Sequence, residues 1–304
     1  MKNMFYLFIL SLFFMSCSDD DDTQQQPNDI AIKGLTYGVS NTSFEAAESA
    51  IINALDAVEP IRVIAQVDHA NNAASVDLEL DNTKVIIFGN PALGTPLMQR
   101  NQLVGLDLPQ KLLVFKDAAS NSVKIAYNSV DYLKSRHGIE GVESLNTIAT
   151  ALSNFASITV DGELVSNSET VSKDEGIISK VSTKSFIDTY NDLVATISGN
   201  ENLRLVAEID HQANAVSVNQ ELNPTRLVIF GNPNLGTPLM QNSQTTAIDL
   251  PQKILVWEDD QNVVRVSYND PSYLKDRHQI EGNDTILTTI EGALNAITDQ
   301  AAGL

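Results

Sequence analysis

The apolar positions of this chain follow two periods, and each period predicts an element type. Residues 61–67 carry Ile, Val, Ala and Val at alternate positions, and residues 203–209 do the same with Leu203, Leu205, Ala207 and Ile209. Alternation with period two predicts strands that have one covered face. Residues 34–40 and 123–127 also read as strands. The uninterrupted apolar runs at 85–88 and 112–115 read as strands inside a sheet. Residues 76–80 read as the return strand of a hairpin. Residues 44–58 place apolar side chains at helical spacing behind Ser43, a residue suited to the N-cap. A further helix is expected from Asn269-Asp270-Pro271, where a capping residue precedes proline in the first turn. A last helix is expected at 142–156, and again at 284–301. The order strand, helix, several strands, helix predicts an α+β fold in which a small sheet packs against helices.

This pattern occurs twice. Ile87 to Gly94 reads IFGNPALG, and 142 residues later Ile229 to Gly236 reads IFGNPNLG. Over residues 84–115 against 226–257, 20 of 32 positions are identical without a gap, so two copies of one unit are joined in tandem. After Lys111 and Lys253 the offset shortens to 141, pairing Tyr127 with Tyr268 and His137 with His278. The missing residue falls between Lys116 and Val123, where a hairpin turn tolerates length change. The expected boundaries are a leader at 1–17, a tether at 18–29, a first repeat at 30–157, a linker at 158–175 and a second repeat at 176–304.

The ends and the charge refine this picture. Lys2 precedes an apolar run at 5–15 that is too short to span a bilayer and reads as a secretory leader. It ends at Cys17, the chain's single cysteine, so no intramolecular disulfide or all-cysteine metal site is possible. A lone cysteine in this position resembles a bacterial lipobox, which implies acylation of Cys17 and a lipid anchor in the membrane. Phe14 and Met15 depart from the usual lipobox residues. The acidic run 19–22 behind Cys17 resembles the export signal of Bacteroidota lipoproteins. The expected location is therefore the cell envelope, anchored to the outer membrane and facing either the periplasm or the surface. A net charge of −20 argues against nucleic acid as a partner, since such proteins present a basic face.

The residues Asp68-His69, Phe88-Gly89-Asn90-Pro91, Gly94-Thr95-Pro96-Leu97-Met98, Asp107-Leu108-Pro109, Tyr127 and Arg136-His137 resemble the domain of unknown function 302 family. The second copy is closer to it, with Asn223-Pro224-Thr225 and Tyr268-Asn269-Asp270-Pro271. Copy one departs from it at Asp81-Asn82 and Ser129-Val130. The resemblance implies an α+β domain of TATA-binding-protein type that is often paired as a dimer. It implies no activity.

The chemically able side chains are few. All four histidines are repeat partners, His69 with His211 and His137 with His278, and so are Met98 and Met240. His69 and His211 each end a predicted strand, with the ring on its apolar side; they are candidates for ligand binding or acid–base work. His137 and His278 follow an arginine at a predicted helix end, where a cation caps carbonyls, so a structural role is expected. Thr95-Pro96 and its partner at Thr237 read as helix starts. That would leave free amides near Gly94 and Gly236, the makings of an anion site, although no phosphate-loop spacing follows. Met98 and Met240 are expected to pack that helix on the sheet. Asp107 and Asp249, before Leu-Pro, are expected to stabilise their own turns or to orient a histidine. Tyr127 and Tyr268 complete the candidate set.

No nucleophile elbow or dinucleotide fingerprint appears, and no cofactor is expected. The leading expectation is a binding module for a small ligand or a protein, its two copies forming an intramolecular pseudo-dimer. One alternative is an enzyme using His69 or His211 with Asp107 or Asp249. Another is a copper-type metal binder using thioether and imidazole.

Overall fold

The computed structural model describes residues 31–304; the leader, Cys17 and the acidic run lie outside the described residues. Copy one runs β1 (Leu35–Val39), α1 (Phe44–Asp56), β2 (Arg62–Asp68), α2 (His69–Ala74), β3 (Thr83–Gly89), α3 (Pro91–Arg100), β4 (Gln110–Lys116), β5 (Val123–Asn128), α4 (Val130–His137) and α5 (Ser144–Ser157). A short strand β6 (Val165–Ser166) follows. Copy two repeats the order as β7 (Ile177–Val181), α6 (Phe186–Ser198), β8 (Arg204–Asp210), α7 (His211–Ser217), β9 (Thr225–Gly231), α8 (Pro233–Asn242), β10 (Gln252–Glu258), β11 (Val264–Asn269), α9 (Pro271–His278) and α10 (Asp284–Ala302). A 3-10 turn precedes β4 (Gln102–Leu106) and β10 (Gln244–Ile248).

Both sheets are antiparallel, in the orders β2-β3-β4-β5-β1-β6 and β8-β9-β10-β11-β7. Strand register explains the unbroken apolar runs. Ile87 lies opposite Lys111 and Val85 opposite Leu113, so these four share one face; Ile86, Phe88, Leu112 and Val114 share the other. In copy two the outer set Val228, Phe230, Ile254 and Val256 packs with α6 and α10, while Leu227, Ile229 and Leu255 join the core formed with copy one. Each central strand is therefore apolar on both faces, one for its own helices and one for the other copy. The structure is a pseudo-dimer within one chain.

The contacts across this interface obey a pseudo-two-fold. Gln99 Nε2 donates to Glu221 O at 2.7 Å, and its repeat partner Gln241 donates to Glu79 O at 2.6 Å. Gln102 Nε2 donates to Thr225 Oγ1 at 2.9 Å, and Gln244 to Thr83 Oγ1 at 2.6 Å. Reciprocal pairs of this kind are what an isologous dimer makes. The 3-10 turns carry the closest approach: a Cβ on Gly105 would lie 2.9 Å from Leu255 Cδ1. Gly34, in the left-handed region at φ +67, passes under Tyr132, leaving no room for a side chain.

Four sequence expectations are corrected. Residues 76–80 form no strand: Asp68 caps α2 just before them, accepting from Asn71 N at 2.9 Å, and the chain then turns at Asp77, in the left-handed region at φ 57, and runs on as loop to β3. His69 consequently opens α2 rather than ending β2, as His211 opens α7. Thr95 and Thr237 are not helix starts. Asn90 and Asn232 cap α3 and α8 with proline in the first turn, and Gly94 N already donates to Asn90 O at 3.0 Å, so no free amide remains there for an anion. The linker at 158–175 contributes β6, which pairs with β1 at the edge of the first sheet.

Candidate functional site

Two equivalent clefts open where the copies meet. The first is walled by copy two: Leu203 and Val206 on β8 or just before it, Phe230 at the end of β9, Leu235, Thr237 and Met240 on α8, and Ile290, Leu294 and Ile297 on α10. His69 and Asn72, from α2 of copy one, complete it. The second cleft is its pseudo-symmetric counterpart, with Phe88, Leu93, Thr95, Met98, Ile148 and Leu152 from copy one and His211 and Asn214 from copy two. Their cavity volumes are about 120 and 160 Å³, and both are open to solvent on one side.

Three polar groups in each of these walls are unsatisfied, while Arg204, Asn232 and Asn90 find partners. His69 Nε2, Thr237 Oγ1 and Gln252 Nε2 in the first cleft have no hydrogen-bond partner, nor do His211 Nε2, Thr95 Oγ1 and Gln110 Nε2 in the second. Buried polar atoms almost always find partners, so three orphans lining one cleft set it apart from the rest of the interior. Burial drives His69 and His211 down to about pKa 4, with Asp68 and Asp210 pulling the other way. Both imidazoles are therefore neutral at neutral pH, with one donor and one acceptor nitrogen each. The threonines sit inside helices and the histidines at helix starts, so all are held by regular structure.

A second cluster lies buried on the pseudo-dyad. Asp107 Oδ2 accepts from Arg136 Nη1 at 2.8 Å and from His137 Nε2 at 2.7 Å. Asp249 Oδ2 accepts from Arg277 Nη1 at 2.6 Å and from His278 Nε2 at 2.8 Å. The arginines then reach across: Arg136 Nη2 to Asn269 Oδ1 at 2.9 Å, and Arg277 Nη2 to Asn128 Oδ1 at 2.7 Å. Each stacks on the tyrosine of the other copy, Arg136 4.5 Å from the Tyr273 ring and Arg277 4.1 Å from Tyr132. The tyrosine hydroxyls meet at 3.0 Å. Despite their burial, Asp107 and Asp249 are held well below the usual carboxylate range by these arginines and histidines.

This arrangement corrects three expectations. His137 and His278 do not cap their helices, whose ends are closed by backbone amides of Gly138 and Gln279; their rings serve Asp107 and Asp249. The aspartates orient these two histidines rather than stabilising their own turns. His69 and His211 line the clefts, whereas Asp107 and Asp249 line neither, so the His69–Asp107 acid–base pairing has no geometric support. Tyr127 and Tyr268 stand apart from both places. Tyr268 Oη donates to Asn295 Oδ1 at 2.6 Å under α10, and Tyr127 bonds Thr36 and Ser153. Met98 on α3 and Met240 on α8 are buried and line the clefts. Gly94 and Gly236 lie in the cleft walls. Among the described residues no group of three or more His, Cys, Asp or Glu side chains is arranged for a metal, and no helix is long and apolar enough to cross a membrane.

Sequence reasoning missed Lys111, Lys253, Gln110 and Gln252. The signal was present: DLPQK recurs unchanged in both copies, and its lysine stands on a strand face among apolar residues, opposite Ile87 in copy one and Ile229 in copy two.

Among curated proteins the chain is similar to "Fluoride-specific ion channel FluC 1" of Brucella suis biovar 1, 34% identical over 131 residues, covering 43% of this chain and 51% of that protein. It is similar in the same degree to "Fluoride-specific ion channel FluC 2" of Brucella melitensis biotype 1, covering 48% of it. The chain thus spans about half the length of the curated relatives it matches. A solved structure, an uncharacterized conserved protein DUF302 from Bacillus stearothermophilus, aligns at 14% identity and TM-score 0.38, covering 42% of this chain and 98% of that one. The family model "Domain of unknown function DUF302" matches residues 35–156 and again 178–297. The chain therefore belongs to the DUF302 family and carries its domain twice.

Proposed function

We propose that the chain is a binding protein whose two interface clefts each take one small, largely apolar molecule through a hydrogen-bonding group. The observation that carries this reading is the trio of unpartnered polar atoms in each cleft, one of them a neutral histidine supplied by the other copy. A ligand that both donates and accepts would satisfy imidazole, hydroxyl and amide while its apolar body lies along α5 or α10. Since each cleft needs both copies, joining them in one chain keeps the sites assembled at any dilution.

N-Phenyl-1-naphthylamine, an apolar probe with one N–H, provides the test. Two molecules per chain are expected to bind with a rise in fluorescence. Ala293 and Ala151 line the first and second clefts, and Ala293→Trp or Ala151→Trp should each abolish one site. Absence of binding, or binding unchanged in both variants, refutes the reading.

We further propose that the chain acts in the cell envelope, held by an acylated Cys17. The apolar leader ending in the single cysteine supports this. Intact-mass analysis of the membrane fraction should show diacylglyceryl modification, lost in Cys17→Ser; an unmodified mature chain retaining its leader would overturn it.

A further inference from the structure

Two buried lysines on the pseudo-dyad are not explained by the clefts. Lys111 on β4 and Lys253 on β10 project from the inner faces of the two sheets, 6% and 5% exposed. Their amines lie beside each other, close enough for a neutral one to accept from the other, and neither Nζ has any further hydrogen-bond partner. The nearest carboxylate oxygens are on the opposite copies, Asp249 Oδ1 at 4.0 Å from Lys111 and Asp107 Oδ1 at 3.9 Å from Lys253, beyond bonding distance. Those aspartates are already engaged by Arg136 and Arg277. With both lysines protonated, four buried cations face two buried anions. An uncompensated pair of charges in so dry a place is strongly unfavourable.

Both lysines line a small, partly enclosed space of about 10 Å³, room for one particle the size of a water molecule. Apart from the two amines its walls are Ile87, Leu106, Leu108, Ile229, Leu250 and two prolines. That composition discriminates between occupants. A water could accept from both ammonium groups, but its own hydrogens would point at aliphatic carbon. A monatomic anion only accepts, and it brings the missing negative charge. We propose that Lys111 and Lys253 form a halide site on the pseudo-two-fold axis, with one ion shared by the two copies. The site is distinct from the interface clefts, and the proposal does not depend on them.

The linkage to pH follows. In the empty site burial and the neighbouring amine hold Lys111 well below its ordinary pKa. The other groups facing the pair are Asp107, Asp249, Arg136, Arg277, His137, His278, Tyr132 and Tyr273. An anion restores the protonated form, so halide and proton bind together and affinity rises as pH falls.

The test compares thermal unfolding in potassium bromide, chloride or fluoride with that in potassium gluconate, whose anion is too large, at equal ionic strength. A saturable, halide-specific rise in Tm is expected, with half-saturation falling about tenfold or more from pH 9 to pH 6. Lys111→Met/Lys253→Met should abolish it. Should that variant not fold, crystals of the unaltered protein grown in bromide decide the matter by anomalous scattering. A bromine peak between the two Nζ atoms is expected. Its absence, equal Tm in gluconate and halide, or a halide effect surviving in the double variant would overturn the site.

Discussion

Replacing Asp107 by asparagine isolates the electrostatics of the interface, because the side-chain volume is nearly unchanged and no cavity opens. In the folded chain Asp107 and Arg136 are both fully sealed, 2.8 Å apart, with His137 2.7 Å from the same oxygen. Once the carboxylate is gone, Arg136 keeps the Glu175 carbonyl at 3.1 and 3.0 Å and Asn269 Oδ1 at 2.9 Å. These are neutral acceptors and cannot cancel its charge, and Lys253 loses its nearest anion as well. Breaking one partner out of a buried ion pair costs about 3–5 kcal/mol. The internal reference is Asp131→Asn, whose ion pair with Lys134 is 80% exposed on the aspartate side and contributes less than about 1 kcal/mol. Urea unfolding followed by the fluorescence of Trp257, the single tryptophan, gives each loss as the midpoint shift multiplied by the slope. By pseudo-symmetry Asp249→Asn should match Asp107→Asn. The double variant should depart from additivity, since both sites share the interface. If Asp107→Asn loses no more than Asp131→Asn, the cluster is not the sealed charge network described above.

Acid should act in two windows. The folded-state pKa of His69 and His211, about 4, lies below the unfolded value, so unfolded chains take up protons first; stability is full above about pH 6.5 and falls toward pH 4, by roughly 3 kcal/mol per histidine. Tm measured against pH should therefore decline over that range, and His69→Leu should flatten the decline; an unchanged slope would contradict the burial of the ring. Asp107 and Asp249, with depressed pKa values, contribute stability present above about pH 4 and lost only in stronger acid. Gly34→Ala should destabilise by more than about 1 kcal/mol, because φ is +67 and the new Cβ meets Tyr132 Cβ at 2.5 Å. An unaltered urea midpoint would show that Gly34 does not pass under Tyr132 as described.

How much was legible in the chain depended on the range of the interaction involved. Strands β2, β3, β4 and β5, helix α1 with its Ser43 cap, and the final helices follow from local periodicity, and the recurrence of IFGNP and DLPQK announces two equivalent units. Local pattern misled at Thr95-Pro96, where Asn90-Pro91 five residues earlier had already started the helix, and at 76–80, where the turn that closes α2, with Asp77 at φ 57 and Leu78 N bonded to Ala73 O, took the place of a strand.

The sequence by itself determined the duplication, the α+β class and the rarity of the histidines, because each is a property of residue order. It could not assign partners. His69 shares a cleft with Thr237 rather than Thr95, and Lys111 lies nearest Asp249 rather than Asp107, because side chains near the axis of an isologous contact are closer to the other copy than to their own. Those crosswise pairings exist only once the two sheets are face to face.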